Sequence, residues 1–196
     1  MVTSPRVGIL ALQGDVREHA RVLAGLGAEV VLVRRPEELA TVDGLVLPGG
    51  ESSVIDKLSR SFGMREPIRE AIAGGMPVLG TCAGLILLAD RLVDGIAGQQ
   101  TFGGLDVAVQ RNAFGAQTES FETELDVPAI GAPPIRATFI RAPVVTDAGS
   151  AEVLGRLPDG RIVAVRQGAL VGISFHPELD GDTRFHELFL AGVGDA

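Results

Sequence analysis

The chain has 196 residues, a formal charge of −8, 46% hydrophobic residues and a mean hydropathy of +0.30. That length and apolar content suit one domain, 1–196, with a substantial core, and the acidic balance argues against a nucleic-acid binder, which needs a basic face. No apolar run reaches the roughly 18 residues of a membrane span, and the acidity disfavours an anionic membrane surface as partner. Met1 to Arg6 lacks a signal peptide's apolar stretch, and Cys82 is the single cysteine. Both point to a reducing compartment, with the cytoplasm as the expectation.

Val7 to Leu12 is a near-continuous apolar run, the pattern of a parallel strand covered on both faces. Gln13-Gly14 turns out of it, and Asp15 with Glu18 fits the N-cap and N3 positions of a helix. Val16, Ala20, Leu23 and Ala24 share one face of that helix, which Gly25-Leu26-Gly27 ends. Ala28 to Val33 and Gly44 to Leu47 read as the next strands, so the opening is β-α-β-β and predicts a parallel sheet with right-handed crossovers. Met64 to Gly74 reads as a helix, Met76 to Leu79 as a buried strand and Leu85 to Ala89 as a buried helix. Beyond Arg91 the rhythm changes to short runs broken by Gly and Pro. Leu105 to Val109, Ser120 to Leu125, Arg136 to Ile140, Ile162 to Val165 and Leu170 to Phe175 read as strands, several of them antiparallel. Arg184 to Ala191 closes the chain as a helix. The fold class is α/β: a doubly wound, mostly parallel sheet with helices on both faces and extra antiparallel strands in the second half.

Three strings carry chemistry. Gly80-Thr81-Cys82-Ala83-Gly84 lies between a strand and a helix, the nucleophile-elbow pattern with Cys in place of Ser. The flanking glycines relieve a sharp turn, and a helix N-terminus favours a thiolate. An isolated cysteine is most often a small buried hydrophobe, but the elbow context makes Cys82 the candidate nucleophile. Phe175-His176-Pro177-Glu178 is the second string. Pro177 holds His176 extended, and residues two apart in an extended segment project to one side, so Glu178 can orient the His176 ring. A plain strand-end turn with a surface His and Glu is the alternative.

Pro48-Gly49-Gly50-Glu51-Ser52 follows the third strand directly. Its glycines allow close approach of the backbone, and the N–H groups of Gly50 and Ala83 are the candidate oxyanion hole. A glycine turn before a helix capped by Ser52 or Ser53 is the alternative. The three histidines show no clustered pattern along the sequence, so no metal is expected.

These strings resemble those of the class I (triad) glutamine amidotransferases. With Ala11-Leu12-Gln13-Gly14, Arg111-Asn112-Ala113-Phe114-Gly115 and Phe139-Ile140-Arg141-Ala142-Pro143, the chain more closely resembles the glutaminase subunits of pyridoxal 5′-phosphate synthase, from about Val7 to the closing helix. The resemblance implies Cys82 as nucleophile, His176 as general base and acid, and Glu178 as its orienter. It places the glutamine site on Gly50, Glu51, Ser52, Arg111, Ile140 and Arg141. It also implies no cofactor, L-glutamine as substrate, and a separate synthase subunit as partner, which receives ammonia through a tunnel and activates the glutaminase on docking. Other readings are a glutaminase serving another synthase, a cysteine hydrolase on a similar fold, and a silent scaffold subunit.

Overall fold

The computed structural model describes residues 4–113 and 120–194, so Phe114 and Gly115 of the Arg111 string lie outside the described residues. In chain order the first half runs β1 (Arg6–Leu10), α1 (Val16–Gly25), β2 (Glu29–Val33), α2 (Pro36–Leu39), β3 (Gly44–Leu47), α3 (Ser52–Ser61), α4 (Arg65–Ala73), β4 (Val78–Thr81) and α5 (Ala83–Leu88). The second half runs β5 (Ala89–Leu92), β6 (Leu105–Gln110), β7 (Phe121–Leu125), β8 (Ile135–Phe139), β9 (Val144–Asp147), β10 (Glu152–Arg156), β11 (Ile162–Gln167), β12 (Leu170–Ile173), α6 (Pro177–Asp180) and α7 (Arg184–Gly194).

The order β2-β1-β3-β4-β12 forms the parallel half of the main sheet. The sheet continues through β11, β9 and β6 in antiparallel pairings, β5 joins β6 in parallel at the far edge, and β10 pairs antiparallel with β11 off this path. β7 and β8 form a separate antiparallel hairpin. The parallel half is apolar on both faces because both are covered. Leu10, Leu45, Leu47 and Val78 point into one core with Ile55, Ile68, Ile72 and the α5 leucines. Val7, Ile9, Val46, Leu79 and Ile173 point into the other with Leu23 of α1, Phe185 and Phe189 of α7, and Phe139 of the hairpin. The alternation follows the period-2 geometry of strands, and it puts helices on both faces.

Several sequence expectations need correction. α5 ends at Leu88, and Ala89 starts β5 with no turn residue between them. α1 buries His19 along with Leu23, whereas Ala24 is exposed. The expectation of several antiparallel strands in the second half holds for β6, β7, β8 and β11, while β12 is parallel to β4 and β5 to β6.

Candidate active site

The loops after β1, β3, β4 and β12, four adjacent strands, meet at the carboxyl edge of the parallel half, where doubly wound sheets place their sites. Cys82 stands between β4 and α5 with φ 49° and ψ −101°. A non-glycine residue pays roughly 1–3 kcal/mol for such a conformation, which persists only where the surroundings impose it. Here α5 is buried at every residue, and a Cβ at Gly84 would fall 2.1 Å from the Leu47 carbonyl oxygen. The helix therefore packs hard on β3 and forces the tight turn. Cys82 is itself 7% exposed, and its Sγ lies 4.0 Å from the Ile140 carbonyl oxygen.

His176 Nδ1 lies 2.7 Å from Glu178 Oε1, with both side chains almost wholly buried. The backbone differs from the expected extended pair. His176 has φ −120° and ψ 76°, and Pro177 opens the one-turn helix α6, because proline suits a first helical position. The turn still brings the carboxylate back onto the ring. The segment is anchored from the hairpin: His176 N–H donates to the Thr138 carbonyl at 3.1 Å. Asp180 in turn accepts from Thr138 N–H at 3.1 Å and from its hydroxyl at 2.6 Å.

Asp15 is the N-cap of α1 by position, but its side chain makes no capping hydrogen bond. Its Oδ2 instead lies 3.4 Å from His176 Nδ1. The expected cap is thus a second carboxylate beside the imidazole. The available signal was its place just after Gln13-Gly14, at the carboxyl end of β1.

Gly50, Glu51, Ser52, Cys82, Arg111, Ile140 and Arg141 line one pocket, together with Ile86 and Asn112. Every residue of the expected glutamine site is therefore brought to the same cleft as the sulfur. Ala83, the other expected oxyanion donor, is 1% exposed and opens α5, where first-turn N–H groups have no helical acceptor. Gln13 Oε1 accepts from Glu51 N–H at 2.8 Å and fastens the glycine loop. The Arg111 guanidinium donates to Glu51 at 2.8 Å and to Gln99 at 2.9 Å, and the Gln99 amide donates to Ser52 Oγ at 2.9 Å. Gln99, Ile86 and Asn112 were not predicted as site residues: Gln99 lies outside any motif, Ile86 read as part of a buried helix, and Asn112 stood only as part of the Arg111 string.

Burial pushes the His176 imidazolium down, but hydrogen bonds to Asp15, Cys82 and Glu178 outweigh it and hold the ring up at about 12. Burial raises Glu178, against the opposing pull of His176. Far apart in sequence, the three histidines form one connected group in space. His19 Nε2 lies 3.5 Å from Glu178 Oε1, and His19 Nδ1 lies 2.9 Å from His186 Nε2. Burial lowers His19 well below 6.5, and it lowers His186 to about 4 against the opposing charge of Asp182.

This has a consequence for acid stability. The unfolded chain protonates both rings near pH 6.5 while the folded chain resists, so the unfolded state binds more protons and stability falls as pH drops. For His186 the window runs from 6.5 to about 4, worth at most about 3 kcal/mol. His176, raised above 6.5, is charged in both states there, and Glu178 opposes the loss because its folded carboxyl takes a proton first. Melting temperature is expected to fall between pH 6.5 and pH 5, less steeply in His186→Gln; the same slope in that variant would contradict the assignment.

Asp15, His176 and Glu178 bring one ligand atom each within 4.8 Å of one another, the single such group among the described residues. A metal there would need the His176 Nδ1 lone pair, where the 2.7 Å contact with Glu178 calls for an N–H. No helix among the described residues is long and apolar enough to cross a membrane.

The carboxyl edge of a mostly parallel sheet thus carries a cysteine elbow and a buried His–Glu pair. The chain belongs to the SNO glutamine amidotransferase family, whose model matches residues 9–194. It is 67% identical over 194 residues to the pyridoxal 5′-phosphate synthase subunit PdxT of Leifsonia xyli subsp. xyli, covering 98% of each chain. It is 57% identical to the protein of the same name from Streptomyces avermitilis, over 96% of this chain and 94% of that one. A solved glutamine amidotransferase structure superposes with a TM-score of 0.89 at 47% identity, covering 96% of this chain and 98% of that one. The PurLQS structure from Thermotoga maritima gives 0.70 at 19% identity, covering 96% and 99%, a likeness of fold alone.

Proposed function

We propose that the chain is a single glutaminase domain, 1–196, that hydrolyses L-glutamine through Cys82, His176 and Glu178 and passes ammonia to a separate synthase subunit for pyridoxal 5′-phosphate synthesis. The observation that carries this reading is the 2.7 Å His176–Glu178 contact beside a pocket that holds Cys82 together with Arg111 and Glu51. Glutamine is a zwitterion at its α-carbon. Arg111 suits its carboxylate and Glu51 its ammonium, with Ser52, Ile140 and Arg141 completing the wall.

Glu178 holds Nδ1, so Nε2 of His176 is left for the sulfur. With His176 already protonated, the Cys82 sulfur attacks the side-chain amide carbon as the thiolate. The Gly50 and Ala83 N–H groups receive the oxyanion. His176 then protonates the departing nitrogen, which leaves as ammonia with a γ-glutamyl thioester on Cys82. Water gives a proton to His176 and attacks the thioester carbon; glutamate leaves, and the thiolate is restored beside protonated His176. The high sequence identity to relatives named as synthase subunits supports a partner that consumes the ammonia, and the lone cysteine supports a cytoplasmic location.

Acid quenching during turnover is expected to trap a γ-glutamyl group on Cys82, visible by mass spectrometry of the peptide that contains it. Turnover with no adduct, or an adduct on another residue, would contradict covalent catalysis by Cys82.

A further inference from the structure

Behind the triad lies a buried polar row that the proposed mechanism does not use. His19, His186 and Thr81 are each 0% exposed. His19 stands on α1 one turn after Asp15, so that one helix supplies neighbours to both members of the His176–Glu178 pair. Its Nε2 is 3.1 Å from Thr81 Oγ1, on the residue just before the nucleophile, and 3.5 Å from Glu178 Oε1, the oxygen that also faces His176. Glu178 Oε2 and His186 Nδ1 have no hydrogen-bond partner among the described residues.

We infer that His19 is a positioning residue for the triad: neutral, protonated on Nε2, and held in that tautomer by His186, it presents its N–H to Glu178 Oε1 and Thr81 and so keeps the carboxylate aligned on His176. The inference rests on the triad assignment above. A neutral His19 has one N–H and one lone pair to divide between its two sides. With the proton on Nδ1, the Nε2 lone pair would face a buried carboxylate oxygen, and His186 Nδ1–H would be an orphaned buried donor. With the proton on Nε2, the carboxylate faces an N–H, and His186 donates through Nε2 to His19 Nδ1. His186 Nδ1 then carries a bare lone pair. The second arrangement removes both conflicts. A histidine that merely fills core space would not need either tautomer.

Two measurements test this. Nitrogen-15 NMR of histidine-labelled protein is expected to show a pyrrole-type Nε2 and a pyridine-type Nδ1 for His19 at neutral pH. The reverse pattern would overturn the inference, even if His19→Leu fails to fold. In glutaminase assays with the synthase subunit present, His19→Leu is expected to lower kcat roughly tenfold, because the buried Glu178 carboxylate loses the polar neighbour 3.5 Å from its Oε1, with KM for glutamine nearly unchanged. His19→Gln, whose amide can reach the Nε2 position, is expected to recover most of that loss. Wild-type turnover in His19→Leu, or equal loss in both variants, would overturn the positioning role. A wild-type complex that releases no glutamate would instead bring down the triad assignment, and this inference with it.

Discussion

Cys82→Ala is expected to abolish glutamine hydrolysis, by roughly ten-thousandfold or more, while leaving the fold and docking to the synthase subunit intact. Removing the nucleophile of a triad leaves only what substrate binding and the oxyanion donors supply. The structural cost is small, since one sulfur atom is lost from a residue whose backbone is held by its neighbours. Cys82 N–H donates to the Ile173 carbonyl at 2.8 Å, and that bond survives the substitution. Glutamate release and a pull-down with the synthase subunit read the two parts separately. Loss of partner binding would mean that Cys82 has a structural role, and retained hydrolysis would mean that another group is the nucleophile.

The second large effect falls on a residue with no functional group. A Cβ at Gly49 would lie 2.4 Å from His176 Cε1, 3.0 Å from its Nδ1 and 2.8 Å from Asp15 Oδ2. Gly49 is not among the glycines of positive φ, so the contact with the imidazole, not backbone strain, is what Gly49→Ala introduces. The ring has little room to retreat, because Glu178 holds it at 2.7 Å and the Thr138 carbonyl holds its backbone at 3.1 Å. A displacement of about 1 Å in a catalytic group costs on the order of a hundredfold. Gly49→Ala is therefore expected to lower kcat at least that much with circular dichroism unchanged. Wild-type kcat would show that His176 does its work from some other position.

The parallel half of the sheet was legible because buried strands write themselves as apolar runs: Gly44 to Leu47 matches β3 residue for residue. The second half was less so. β9 is four residues long, β10 carries a glycine and charged ends, and β5 follows α5 without a turn, so none shows a period of its own. In the site, Cys82, His176 and Glu178 stood out because a motif fixes their types at short spacing. Asp15 was read as a helix cap because that is what an aspartate before an amphipathic run usually does. His19 and His186 looked unconnected because 167 residues separate them, and only the fold closes that gap to 2.9 Å. Gly49 was read as allowing the backbone to approach a ligand, whereas its decisive property is the space it leaves for an imidazole.

The most direct test of the central claim is glutamate release from L-glutamine, measured for this chain alone and with the synthase subunit added. Weak release alone and strong activation by the partner are expected. No release under either condition would contradict that claim and favour a scaffold subunit, and equal release under both would leave a glutaminase without the assigned partner.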